Sequence, residues 1–248
     1  MSPLYPEETK KLDVISHLEE LRRRILWCLL VLVLAAIISF SQGSAIMALV
    51  KKPIGGLVDE LIFISPPEAF LAYLKVALLS GFIICFPVLL YHTWAFLSPA
   101  LPRNVRGRIV LWLFSALVLF FAGVAFAYFL AIPAALDFLI GFSKDVATPK
   151  ITLGKYVSFF GALILVGGII FEIPVVMGLL TDAGLLKTST LRGKRHYAIL
   201  AIMVFAAVIT PTQDILNMLL FALPMMVLYE IGILLSRVIE RRREHKPF

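Results

Sequence analysis

Apolar residues in this chain come in long runs separated by short polar breaks, not in the spaced stripes of a soluble helix bundle. The first run, 25–40, follows the charged stretch Ile15-Ser16-His17-Leu18-Glu19-Glu20-Leu21-Arg22-Arg23-Arg24. Leu12, Ile15, Leu18 and Leu21 or Arg22 recur at helical spacing, so an interfacial helix is expected to begin there, after a polar and mobile stretch over 1–11. Ser16 with Glu19 three residues on fits a capping box, and Asp13 is a competing cap. Residues 41–68 carry Gly43, Pro53, Gly55 and Gly56 as breakers and read as loop with room for one short helix. Ser65-Pro66-Pro67-Glu68 signals the next helix start, again with capping-box spacing.

The helix from there covers 68–97, about 45 Å at 1.5 Å per residue. That exceeds ~30 Å of hydrocarbon, so it must tilt, kink at Pro87 or project beyond the membrane. A third run, 109–130, follows a short basic loop and is expected to bend at Pro133, with 134–142 continuing as helix. The fourth run is 156–180. The last two, 197–209 and 215–235, are joined by Thr210-Pro211-Thr212-Gln213-Asp214, a tight hairpin, and the chain ends in a basic tail. The run over 197–209 spans only about 20 Å as helix, which predicts local bilayer thinning or cover from its neighbours.

Composition agrees with the runs: of 248 residues, 60% are hydrophobic and only 16% charged, with a mean hydropathy of +0.96. The expectation is an all-α polytopic membrane protein, one domain over 1–248 with six transmembrane helices. The first run is too long for a cleavable signal peptide and reads as a retained span. The net charge of +7 does not imply nucleic acid, because the basic residues lie in short clusters between apolar runs. With six spans, 17 lysines and arginines fall on the side of the termini and 6 on the other, namely Lys51, Lys52, Lys75, Lys144, Lys150 and Lys155. The positive-inside rule then puts both termini in the cytoplasm. Cys28 and Cys85 lie inside apolar runs without metal or disulfide spacing and read as small hydrophobes.

Glu172 stands in the middle of the fourth run, within Phe171-Glu172-Ile173-Pro174. A carboxylate there costs on the order of 2.5–3.5 kcal/mol, so it must face protein or water or be neutral. Pro174 withholds its N–H from the carbonyl of Ile170, leaving a polar group beside the acid. The plainer reading is a neutral Glu172 satisfied by that carbonyl or by a hydroxyl. Glu230, near the inner end of the last run, suits an interfacial salt bridge, with Arg237 seven residues on. Asp214 suits a helix N-cap. In the opening stretch Glu19–Arg23 and Glu20–Arg24 are both i,i+4 pairs. With Glu19 held by the cap, Glu20 is the freer carboxylate, able to take two N–H bonds from an incoming arginine.

These residues resemble the TatC subunit family of the twin-arginine protein translocase. The resemblance covers nearly the whole chain. It rests on Ser16 to Arg24, on Phe86-Pro87-Val88-Leu89-Leu90-Tyr91 with Phe96-Leu97-Ser98-Pro99-Ala100-Leu101, and on Phe171-Glu172-Ile173-Pro174; Thr210 to Asp214 and Leu228-Tyr229-Glu230-Ile231 continue it. It implies a cup-shaped six-helix receptor in the cytoplasmic (inner) membrane, exporting folded proteins that carry Arg-Arg signal peptides, driven by the proton-motive force. It implies TatA-type or TatB-type single-span partners, further copies of the chain in the receptor complex, membrane lipid around it and no cofactor; the sequence itself offers no nucleophile–base pair or metal cluster, so neither a metal nor enzymatic activity is expected. Glu20 matches the glutamate that binds the arginine pair, and we place Glu19, Arg22 and Phe96 beside it in the signal-peptide-binding set. Glu172 matches the intramembrane glutamate that faces a single-span partner, while Pro87, Pro174, Asp214 and Glu230 read as structural.

One departure stands out: the first cytoplasmic loop normally supplies a second glutamate, and here that position is Val105, next to Arg103 and Arg106. Two guanidinium groups would meet one carboxylate under like-charge repulsion, so either Glu19 joins Glu20 or binding is weak. Restoring an acid at Val105 is expected to tighten it. The alternative function is a proton-coupled small-solute transporter with Glu172 as proton site; the lack of an inverted repeat and of midplane polar groups argues against it.

Overall fold

The computed structural model describes residues 6–58, 60–143, 150–209 and 215–244. Between Pro6 and Ser41 the chain has neither glycine nor a second proline, and it forms one unbroken helix, α1 (Pro6–Ser41). Pro6 suits a first turn because its ring fixes φ near the helical value. Asp13 and Ser16 therefore lie inside α1, and the capping box at Ser16–Glu19 does not form. Residues 6–11 are helical, which corrects the expected mobile stretch there.

Two short pieces fill the next connection, α2 (Gly43–Lys51) and a 3₁₀ turn, Lys52–Ile54. The last carbonyls of α2 have no partners within the helix. Two tyrosines supply them: Tyr156 Oη donates to the Val50 carbonyl at 2.5 Å and Tyr128 Oη to that of Leu49 at 3.0 Å.

Ser65, in extended backbone at φ −128° and ψ 144°, starts α3 (Pro66–Leu97), but its hydroxyl makes no cap bond. The acid does the capping alone. Glu68 Oε2 accepts the Ile64 N–H at 2.9 Å, and Oε1 accepts the Gly154 N–H, also at 2.9 Å, from a segment 86 residues away. Beside it, Ile62 and Thr152 form an isolated parallel bridge, with the Ile62 N–H donating to Ile151 O at 3.1 Å and Leu153 N–H to Ile62 O at 2.8 Å. α3 continues through Pro87. It crosses α1 backbone to backbone at Gly81, where an added Cβ would sit 2.8 Å from the Ala36 nitrogen. Small residues permit such close crossings in a membrane.

A 3₁₀ turn (Ser98–Ala100) and the single turn α4 (Arg103–Arg106) form the next loop. The third span is α5 (Ile109–Phe126), a π-helical turn over Ala127–Ala131, and α6 (Ile132–Ser143). The wide turn sits just ahead of Pro133. A proline ring collides with the carbonyl four residues back, and the wider spacing makes room for it.

The fourth span is likewise two helices, α7 (Leu153–Ile170) and α8 (Ile173–Asp182), broken at Phe171–Glu172 with Pro174 in the first turn of α8. One continuous helix over 156–180 was the simpler expectation; the missing N–H of Pro174 explains the break. After α9 (Thr188–Gly193) come α10 (Arg195–Ile209) and α11 (Ile215–Glu244). The connection between α10 and α11, with Asp214, lies outside the described residues. α11 extends well past residue 235, so the basic tail is helical to Glu244.

Among the described residues five helical segments are long and apolar enough to cross a membrane: Ile15–Ser41, Pro66–Leu97, Ile109–Gly141, Leu153–Asp182 and Met218–Arg242, with a shorter apolar helix at Arg195–Val208. The chain is an all-α polytopic membrane protein. Its outer faces carry fully apolar side chains in the open, such as Ile38 at 65% and Val110 at 75% exposure, which suits lipid and not water. Inside, Tyr156, Phe120 and Leu163 are almost wholly covered. α5 and α7 touch through Gly123 and Gly167, where a Cβ on Gly123 would collide with the Gly167 carbonyl.

Candidate functional site

Helical phase divides the charged face of α1 in two. Glu20 lies four residues before Arg24 and three after His17, the i,i+3 and i,i+4 positions that share a face. Arg24 closes on it, with Nε 3.0 Å and Nη2 2.5 Å from Glu20 Oε1. His17 Nδ1 stands 3.9 Å from Glu20 Oε2. The His17 ring stacks on Phe96, near the end of α3, with centroids 4.3 Å apart and planes 15° from parallel. Glu20 and Phe96 thus reach one place from two spans, with His17 between them.

Glu19 and Arg22 are not there. Both are exposed on another face of α1, where with Arg23 they border Leu26, Trp27 and Leu30. Among the described residues Glu19 makes no ion pair with Arg23, whereas the Glu20–Arg24 pair forms. Glu20, expected to be the freer carboxylate, is the engaged one. Its Oε1 belongs to Arg24 and its Oε2 remains toward His17.

The neighbouring loop is built on backbone bonds and one buried acid. Arg106 donates from Nε to the Leu101 carbonyl at 3.0 Å and from Nη2 to that of Pro99 at 2.5 Å, so its guanidinium is spent on its own loop. Val105 is 0% exposed, packed in an apolar cluster with Trp94, Trp112, Ala116, Val175 and Ile239. A glutamate in that position would start among carbons and not on the surface where a peptide could meet it.

Arg108 Nη1 lies 3.1 Å from Asp182 Oδ1, and Trp112 Nε1 donates to Asp182 Oδ2 at 3.2 Å. Asp182 is 0% exposed. The sequence reading passed over this acid, which lies just beyond the fourth apolar run. The available signal was its place in the last turn of α8, where the helix dipole disfavours a carboxylate and a cation must compensate.

Glu172 occupies the break between α7 and α8. Its N–H donates to the Ile169 carbonyl at 3.1 Å and its own carbonyl accepts from the Val176 N–H at 2.9 Å. The carboxylate Oε1 is buried and meets no hydrogen-bond partner among the described residues, so neither the freed Ile170 carbonyl nor a hydroxyl satisfies it. Glu230 pairs with Arg195, at the start of α10, instead of Arg237. The adjacent Tyr229 Oη donates to the Leu191 carbonyl at 2.9 Å, and Glu240 Oε2 accepts the Thr188 N–H at 3.2 Å, capping α9. α11 therefore anchors α9 at two points and the start of α10 at a third. Among the described residues no group of three or more His, Cys, Asp or Glu could hold a metal ion.

Residues 16–224 match the family model described as Sec-independent protein translocase protein (TatC). The chain belongs to the TatC family. TatC of Carboxydothermus hydrogenoformans is 34% identical over 233 residues, spanning 94% of this chain and 96% of its own length. TatC of Aquifex aeolicus is 35% identical over 237 residues, with 94% and 98% covered. A crystal structure described as the twin arginine translocase receptor TatC superposes with a TM-score of 0.79 at 35% identity, covering 90% of this chain and 99% of that one. A second crystal structure of that receptor, in DDM, gives 0.80 at 36% identity. TatC is a translocase family and not an enzyme family. In this TatC chain Val105 lies in a closed apolar cluster whose Trp112 donates to the buried Asp182.

Proposed function

We propose that this chain is the signal-peptide receptor and core subunit of a twin-arginine translocase, exporting folded proteins across the cytoplasmic (inner) membrane on the proton-motive force. Its family and its relatives' descriptions support the reading. Both termini face the cytoplasm, as the lysine and arginine distribution favours. The observation that carries the site is the meeting of Glu20 with Phe96 through the stacked His17. An incoming arginine would hydrogen-bond to Glu20 Oε2 and lay its planar guanidinium against the aromatic pair. Arg108, paired with the Asp182 carboxylate, repels such a cation less than a free arginine would.

Glu172, with an unsatisfied carboxylate oxygen at a helix break, is the polar point for a TatA-type or TatB-type single-span partner. α10 and α11 are the further docking surface, and several copies of the chain assemble in the receptor complex. A photocrosslinker carried on an Arg-Arg signal peptide beside the pair tests the site: it should label this chain around Glu20 and Phe96, and the yield should collapse when the pair becomes Lys-Lys. Equal capture of both peptides would overturn it.

A further inference from the structure

Lys75 is the one lysine or arginine in the sequence of α3, nine residues inside it, about 14 Å along the axis from Pro66. Its side chain is exposed and Nζ donates to Ser158 Oγ at 2.8 Å. Ser158 spends its own proton on the Gly154 carbonyl at 2.8 Å. It therefore offers Lys75 only an acceptor, which aims the ammonium without neutralising it. The acid on the same helix, Glu68, already accepts two backbone N–H groups. Lys155, also exposed, lies one turn before Ser158 on the same side of α7, adding a second cation toward that end.

Lys75 and Ser158 stand at one end of a groove of about 620 Å³ between α1, α3 and α7. From there toward the middle of the bundle the walls are apolar: Leu78, Leu79 and Phe82 on α3, Leu165 and Ile169 on α7, with the small Ala162 between. Polarity is thus ordered along the groove, with positive charge near the end opposite the termini and hydrocarbon for the rest.

We infer that this groove is a binding site for an anionic phospholipid of the leaflet opposite the termini. Its phosphate sits on Lys75 with Lys155 at the rim, and one acyl chain runs past Ala162 toward Ile169. A headgroup carrying negative charge followed by an unbranched apolar tail matches that order. The long lysine stem reaches back toward the headgroup plane, as lysines near span ends do.

Native mass spectrometry of the purified chain in detergent, titrated with phosphatidylglycerol and in parallel with phosphatidylcholine, tests this. Phosphatidylglycerol should be retained in preference. Lys75→Gln should lower its retention about five-fold, toward the phosphatidylcholine level, and Lys75→Arg should restore it. Ala162→Phe, which fills the groove and leaves the charge, should reduce both lipids alike. Unchanged retention in Lys75→Gln would overturn the inference. So would competition by glycerol phosphate at equal concentration, which would mark a free-anion site. A photocrosslinker at Ala162 gives a readout in native membranes that needs no lysine variant to fold: lipid adducts support the proposal, and capture of a polypeptide in their place overturns it.

Discussion

Arg108→Ala should destabilise this protein more than Asp182→Ala, although the two side chains form one ion pair. The asymmetry follows from burial: Asp182 is 0% exposed, while the Arg108 side chain is 41% exposed. Without Arg108 the carboxylate stays covered, keeping only the Trp112 N–H at 3.2 Å. Stranding one charge of a buried pair costs about 3–5 kcal/mol. Without Asp182 the guanidinium turns to water, and the main loss is the buried Trp112 N–H left unpaired, about 1–3 kcal/mol. Asp182→Asn should cost least of all, because its amide oxygen still accepts from Trp112.

The expected gap between the two alanine variants is about 2 kcal/mol, up to roughly thirty-fold in the folding equilibrium. Unfolding in mixed detergent micelles by increasing the SDS fraction, followed by tryptophan fluorescence, measures it. Arg108→Ala combined with Asp182→Asn should be more stable than Arg108→Ala alone, since the stranded charge is gone. Equal costs for the two single alanine variants, or a double variant weaker than Arg108→Ala, would refute the burial argument.

Glu20→Ala and Phe96→Ala should each cut signal-peptide crosslinking by more than Glu19→Ala or Arg22→Ala, because the latter two residues lie on another face of α1; comparable losses from all four would dissolve the proposed site. Val105→Glu should cost about 1–3 kcal/mol of stability from overpacking, plus the cost of a buried polar group, seen as a lower thermal midpoint, and should not tighten peptide binding. A tighter complex at unchanged stability would show that the loop opens to present residue 105. Glu172→Ala should leave the purified receptor folded and peptide-competent while export falls, so a parallel loss of peptide binding counts against separate roles. Gly123→Ala should destabilise the α5–α7 crossing, because its methyl group meets Phe171 Cβ at 2.9 Å and collides with the Gly167 backbone. Gly193→Ala, with nothing within 4 Å, should be neutral or slightly stabilising in the same thermal assay.

The sequence by itself determined the membrane class and the long spans, because crossing hydrocarbon demands about 20 apolar residues, a length five of the helical segments reach. It also located the backbone defect near Pro133, and at Pro174 it found the withheld N–H but not the break that splits the span, while α3 runs on through Pro87. The start of α1 escaped because Ser16 and Glu19 satisfy a capping pattern that an uninterrupted helix from Pro6 overrides. Only the tertiary structure decided which charged groups work together. Glu19 and Glu20 are adjacent in sequence, yet α3 covers one face of α1 and brings Phe96 to that face alone. Asp182 finds Arg108 across 74 residues, and Glu230 prefers Arg195 across 35 to Arg237 seven away. Such pairings depend on how each helix is rotated and where it crosses its neighbour, which apolar periodicity leaves open when a helix is hydrophobic all round. That is why the spans could be read along the chain, whereas the site had to be read across it.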